Sequence, residues 1–139
     1  WYDNLNSFRT VSWYVQHLYG LYRGSNVQSL TMDGVNVTGA EGQNGLFASA
    51  VSEGEKVYVK VINTSETPQE LTLNFTGLKK KSYLKGIECV KLTSDKLYED
   101  NIGVQDNISP VVVPFETEGQ SIDTLIEPLC FTIYVLERQ

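Results

Sequence analysis

The sequence predicts an all-β chain, an antiparallel jelly-roll-like β-sandwich with one helix at its N-terminal end. Three observations carry that expectation. Apolar or aromatic side chains at Val11, Tyr14, Val15, Leu18 and Tyr22 fall on one face of a helix. After Gly24 the pattern changes to period two and keeps it, with turn signals between short runs. The first residue is Trp1 rather than Met, and residues 1–8 read as no complete element. The expectation is therefore a piece of a longer protein. Residues 1–24 would be the end of a preceding domain with its last helix, and 25–139 a β-sandwich domain.

The strands follow in order. Leu46 to Val51 sets Leu46, Ala48 and Ala50 on one side. Lys56 to Ile62 sets Val57, Val59 and Val61 against Lys56, Tyr58 and Lys60. Between them, Ser52-Glu53-Gly54-Glu55 supplies a hairpin turn, with Gly54 free to take positive φ. Leu71, Leu73 and Phe75 alternate with Thr72, Asn74 and Thr76, the pattern of a sheet with one wet face. Val59 is thus expected in the core and Lys60 in solvent. Ser82 to Leu92 is a longer, mixed strand. Pro110 to Phe115 carries two prolines and belongs at an edge or a bulge. Residues 93–109 are acidic, Asn-rich and loop-like. Leu129 to Glu137 closes the chain as a strand, with Phe131, Ile133 and Val135 on one side.

Composition bounds the function. The 139 residues suit one domain with a real hydrophobic core. A net charge of −6 argues against nucleic acid, because phosphate contacts need a Lys/Arg surface. The basic run Lys79-Lys80-Lys81 reads as a solvated turn. No stretch of 18 apolar residues is present, so no membrane span is expected. Cys89 and Cys130 have no metal-binding spacing and read as two buried thiols, with a disulfide as the alternative.

No catalytic, cofactor-binding or metal-binding residue is assigned. His17, the sole histidine, lies five residues after Ser12, across the helix rather than beside it. The 17 acidic residues sit mostly in turns, where charge serves solubility. Glycoside hydrolysis needs two carboxyl groups roughly 5–10 Å apart across a pocket, and no motif here singles out such a pair. The 95–106 loop lacks the spacing of a calcium loop. Gly39 to Gly45 precedes a strand instead of a helix and so reads as a turn rather than a phosphate cradle. Asn36, Asn63, Asn74 and Asn107 head N-x-S/T sequons, which read as chance polar sequence. Trp1, Tyr2, Phe8, Trp13, Tyr14, Tyr19 and Tyr22 crowd the first 22 residues. They suit an inter-domain contact. A sugar-stacking platform is the alternative.

Two stretches carry a resemblance. Tyr2-Asp3-Asn4 followed by Ser12-Trp13-Tyr14-Val15-Gln16-His17-Leu18-Tyr19 resembles the exit from the catalytic barrel of family 51 glycoside hydrolases, the α-L-arabinofuranosidases. Leu46-Phe47-Ala48-Ser49-Ala50 with Lys60-Val61-Ile62-Asn63-Thr64-Ser65, and the ending Pro128-Leu129-Cys130-Phe131-Thr132-Ile133, are similar to strands of that family's C-terminal domain. The sequence departs from the family pattern at Arg9-Thr10-Val11, where Gly-Thr-Pro is usual, and at Leu18-Tyr19-Gly20. The resemblance implies a retaining α-L-arabinofuranosidase that releases terminal arabinofuranose from arabinan or arabinoxylan. Its two catalytic glutamates would lie in a (β/α)8 barrel upstream of Trp1, so neither role passes to a residue of this chain. The chain would be the non-catalytic C-terminal domain, inactive alone and without a cofactor. Its partner would be its own barrel, with plant cell-wall polysaccharide met through the parent enzyme and a homo-oligomer possible. Bacterial cytoplasm, periplasm and secretion all remain open.

Overall fold

The structure is a computed structural model and describes residues 7–139. Among the described residues one helix, α1 (Val11–Leu21), precedes eleven strands. These are β1 (Asn26–Gln28), β2 (Thr31–Met32), β3 (Val35–Asn36), β4 (Leu46–Glu53), β5 (Lys56–Asn63), β6 (Gln69–Asn74), β7 (Leu84–Thr93), β8 (Val111–Pro114), β9 (Glu118–Gly119), β10 (Ser121–Ile126) and β11 (Cys130–Arg138). Every strand pairing is antiparallel. The large sheet runs β1-β4-β5-β11-β7-β8, with β9 also on β7. β6 pairs with β10, and β2 with β3, as two small sheets. The sheets do not close into a barrel, and the architecture is an all-β sandwich.

The predicted runs form close to their expected bounds, and the proline-flanked strand β8 is an edge of the large sheet. Strands β1, β2, β3, β9 and β10 are additions to the sequence reading. The expected helix forms because Thr10 takes an extended conformation and its hydroxyl accepts the Trp13 N–H at 3.0 Å. It ends at Tyr22, whose N–H reaches the Leu18 carbonyl.

Two apolar layers sit on opposite faces of the large sheet. On the inner face, Leu46, Ala50, Val57, Val59, Val61, Leu84, Tyr134 and Leu136 pack against Ile122 and Ile126 of β10 and Leu71 and Leu73 of β6. On the outer face, Tyr14 and Leu18 of α1 pack against Val90, Leu92, Ile108, Phe131 and Ile133. Strand β11 lies at the centre and is buried along nearly its whole length. The outer face of β5 is the main correction to the sequence reading. It was expected to be wet, but Tyr58 and Ile62 pack under the helix, and Lys60 is only 4% exposed. Helix cover from another part of the chain overrides the local alternation.

Cys89 and Cys130 are free, buried thiols. Burial pushes both thiols up from their ordinary pKa, which keeps them protonated and unreactive.

Candidate functional site

The helix-bearing face concentrates the aromatic residues that the sequence singled out. Residues 1–6, with Trp1, Tyr2, Asp3 and Asn4, lie outside the described residues. Phe8, Trp13, Tyr14, Tyr19 and Tyr22 lie within them. They divide by helix face. Tyr14 and Leu18 point into the sheet. Tyr22 packs edge-on against Tyr58, and Tyr19 stacks on Phe131 with ring centres 5.4 Å apart. Arg9, Trp13 and His17 follow one another at i, i+4 spacing along the exposed side.

Trp13 is already partnered. His17 stacks on it at 4.7 Å with the planes 13° apart, and the Arg9 guanidinium lies 5.3 Å from its centre. His17 is thus an exposed ring on a neighbouring ring, and Ser12 is not its partner. A sugar would have to displace one of these two groups to stack on Trp13.

The 94–109 loop is tied to the start of the helix. The Tyr14 hydroxyl donates to Asp106, and Arg9 lies 3.6 Å from the same carboxylate. Asn101, 1% exposed, donates its Nδ2 protons to the carbonyls of Arg9 and Ile108, and its Oδ1 accepts the Ile108 N–H. It acts as a piece of backbone inserted between two segments. Ser94 and Asn107 both donate to Glu99, and those bonds hold its carboxyl below the ordinary range. Sequence reading gave this loop no internal order, because each tie is made by a polar residue to a partner far along the chain or around a bend.

Other acids also serve the frame. Glu53 accepts the N–H and hydroxyl of Ser25, which lowers its pKa. Glu127 pairs with Lys91 at 2.6 Å, and that bond raises the lysine's pKa. Among the described residues no group of three His, Cys, Asp or Glu side chains is placed to hold a metal ion.

Three further sequence candidates are located. Asn63 is 1% exposed, and its Nδ2 donates to the carbonyls of Thr67 and Glu127, so it is a buried brace and no glycan acceptor. The Gly39–Gly45 turn is ordered by Gln43. Its Oε1 accepts the N–H groups of Thr38 and Ala40, and its Nε2 donates to the Asn36 carbonyl. The Lys79-Lys80-Lys81 run is exposed in a turn, with Lys81 at φ 71°.

A groove of about 570 Å³ opens between β2 and β6, floored by Val57, Val59 and Val61. Arg138 lines it and has a buried Nε without a partner. The floor is aliphatic, and Phe75 lines the groove as well.

No family model matches the sequence. No curated protein matches it either. Solved structures do match the fold. The arabinose-bound GH51 α-L-arabinofuranosidase MgGH51 aligns with 99% of this chain at a TM-score of 0.82 and 17% identity. The α-L-arabinofuranosidase of Thermotoga maritima, in an arabinose complex, aligns with 70% at 0.58 and 18% identity. The family 30 subfamily 8 xylanase Xyn30A of Clostridium acetobutylicum aligns with 91% at 0.58 and 15% identity. This chain spans 21%, 20% and 28% of those three chains. Its fold is a sandwich that GH51 α-L-arabinofuranosidases carry within about a fifth of their length.

Proposed function

We propose that this chain is the non-catalytic C-terminal β-sandwich domain of a retaining α-L-arabinofuranosidase, acting on terminal arabinofuranose of arabinan or arabinoxylan. The observation that carries the reading is the alignment of 99% of the chain with a GH51 enzyme at a TM-score of 0.82, while spanning 21% of that enzyme. The likeness to the xylanase is weaker over a similar share of the chain. In this reading residues 1–24 end the catalytic barrel and residues 25–139 form the accessory domain. The domain's task is mechanical: it packs on the barrel and stabilises it. Its partner is that barrel, and polysaccharide is met through the parent enzyme.

The alternative is an autonomous carbohydrate-binding module, and the crowded aromatic residues are what favours it. Trp13, the most prominent of them, already carries His17 and Arg9. Co-sedimentation of the 139-residue chain with insoluble arabinan and arabinoxylan separates the two readings. The accessory-domain reading expects the chain to stay in the supernatant. Saturable retention that is lost in Trp13→Ala would establish the binding module instead.

A further inference from the structure

The helix covers only part of the outer face of the large sheet. At the helix edge Tyr19 is 40% exposed, and on the strands beside it Phe47 is 42% and Val27 86% exposed. Strand register gathers these residues around one position. Phe47 stands opposite Ile62, Ser49 opposite Lys60 and Val51 opposite Tyr58. Val27 stands opposite Val51 on the neighbouring strand. Lys60 is in the middle, more than nine-tenths buried, with its ammonium against the Tyr19 ring.

Among the described residues that ammonium has no carboxylate partner. The ion pairs among the described residues are Arg9–Asp106 and Lys91–Glu127. Of the acids on the strands of the outer face, Glu53 is engaged with Ser25, Glu88 with Tyr22, and Glu137 stands opposite Lys56 at the far end of β5. The Lys60 stem is buried and its ammonium lies against the ring with little access to water, and this desolvation lowers the Lys60 pKa. An exposed apolar rim around a largely desolvated, unpaired charge suits an interface, where the partner supplies the missing half of a charge pair.

We propose that the Phe47–Val27 flank, beside Tyr19 of the helix that ends the catalytic domain, is the surface that the rest of that domain covers, and that it places an Asp or Glu carboxylate on Lys60. The proposal rests on the reading of the chain as one domain of a larger glycosidase. The matching GH51 enzyme has most of its length outside the part that this chain spans, which leaves ample chain to provide the cover. The chemistry of the occupant follows from the patch: apolar side chains for the rim and one anion for its centre. A neutral pentose meets the rim and leaves the cation unpaired.

The test uses the full-length protein encoded by the reading frame that contains this chain. Zero-length carbodiimide coupling joins a lysine to a carboxylate it touches, and mass spectrometry identifies the pair. The Lys91–Glu127 link is the internal control. The expected product joins Lys60 to an Asp or Glu outside residues 1–139 and is absent from Lys60→Met. Lys60→Met should also lower the Tm of the full-length protein by several degrees while leaving or raising that of the 139-residue chain. Lys60→Arg should restore the full-length Tm. The proposal is overturned if Lys60 couples to an acid within this chain or in a second copy of it. It is equally overturned if Lys60 stays unlinked while the control forms, or if Lys60→Met shifts both proteins alike. An arabinofuranosidase assay on the same sample keeps the two claims apart. Coupling without activity removes the enzymatic reading alone, and activity without coupling removes the docking surface alone.

Discussion

The Lys60 ammonium lies 4.8 Å from the centre of the Tyr19 ring, so a strand lysine and a helix tyrosine hold one another across two layers. The contact explains why the alternation in β5 does not mean one wet face. Lys60→Ala removes a buried aliphatic stem as well as the charge, and should cost roughly 1–3 kcal/mol in chemical denaturation. Lys60→Met keeps the stem and removes a desolvated cation, so it should be neutral or stabilising by about 1 kcal/mol in the 139-residue chain. A silent Lys60→Ala would put this side chain back in solvent.

The same group gives a signed pH dependence. Its folded pKa lies below the usual lysine value of 10.5. Between those two values the unfolded chain binds more protons than the folded one, so Lys60 should make stability rise with pH there. At lower pH, with both states protonated, its contribution is constant and unfavourable. Urea denaturation of the wild type and Lys60→Met across pH 8 to 11 checks this. The difference between them should shrink as pH rises.

Val59 tests the register of β5. It is 2% exposed on the inner face of the large sheet, with Ala50 and Tyr134 beside it on the neighbouring strands. Val59→Lys places an unpaired charge in that layer and should cost several kcal/mol, enough to unfold much of the population at room temperature. A cooperative unfolding curve with an unchanged midpoint would show that the register is off by one residue.

Asn101 tests the tie between the 94–109 loop and the helix. Asn101→Ala strands the Ile108 N–H and the carbonyls of Arg9 and Ile108, at a cost of roughly 2–3 kcal/mol. Hydrogen exchange should quicken in 99–108 and in the first turn of α1, and remain slow in β5 and β11. Unchanged exchange at the helix start would refute the tie.

Glu99 gives that loop an acid limit. Its folded pKa is depressed by the bonds from Ser94 and Asn107, so the stabilisation is present above the unfolded carboxylate value. It is lost as pH falls through the depressed folded value. Exchange at Asn107 and its neighbours should quicken in that window in the wild type, whereas Glu99→Gln should already exchange quickly at neutral pH.

These outcomes bear on what the sequence makes legible. Val57, Val59 and Val61 announced a buried face through local period two, and Leu46, Ala48 and Ala50 did the same. The opposite face of β5 was misread because α1, forty residues away, supplies its cover. Strands β1, β2, β3 and β9 are two or three residues long, too short to show a period. In β10 the polar Thr124 interrupts the apolar side, where it is half-buried and bonded to the Tyr134 hydroxyl at 2.8 Å. Asn63, Asn101 and Gln43 look like solvated loop residues until the backbone groups they serve are brought to them. Most of the fold was therefore readable, whereas the packing on the helix side depends on contacts between distant segments.

The central claim is that this chain is an accessory domain of an arabinofuranoside-cleaving enzyme. It is tested most directly by assaying two purified proteins side by side on 4-nitrophenyl α-L-arabinofuranoside: the 139-residue chain and the full-length product of its reading frame. The account expects turnover by the full-length protein and none above buffer by the chain alone. Turnover by the chain that tracks one of its own Asp or Glu residues, or a full-length protein that leaves the substrate intact, would contradict it.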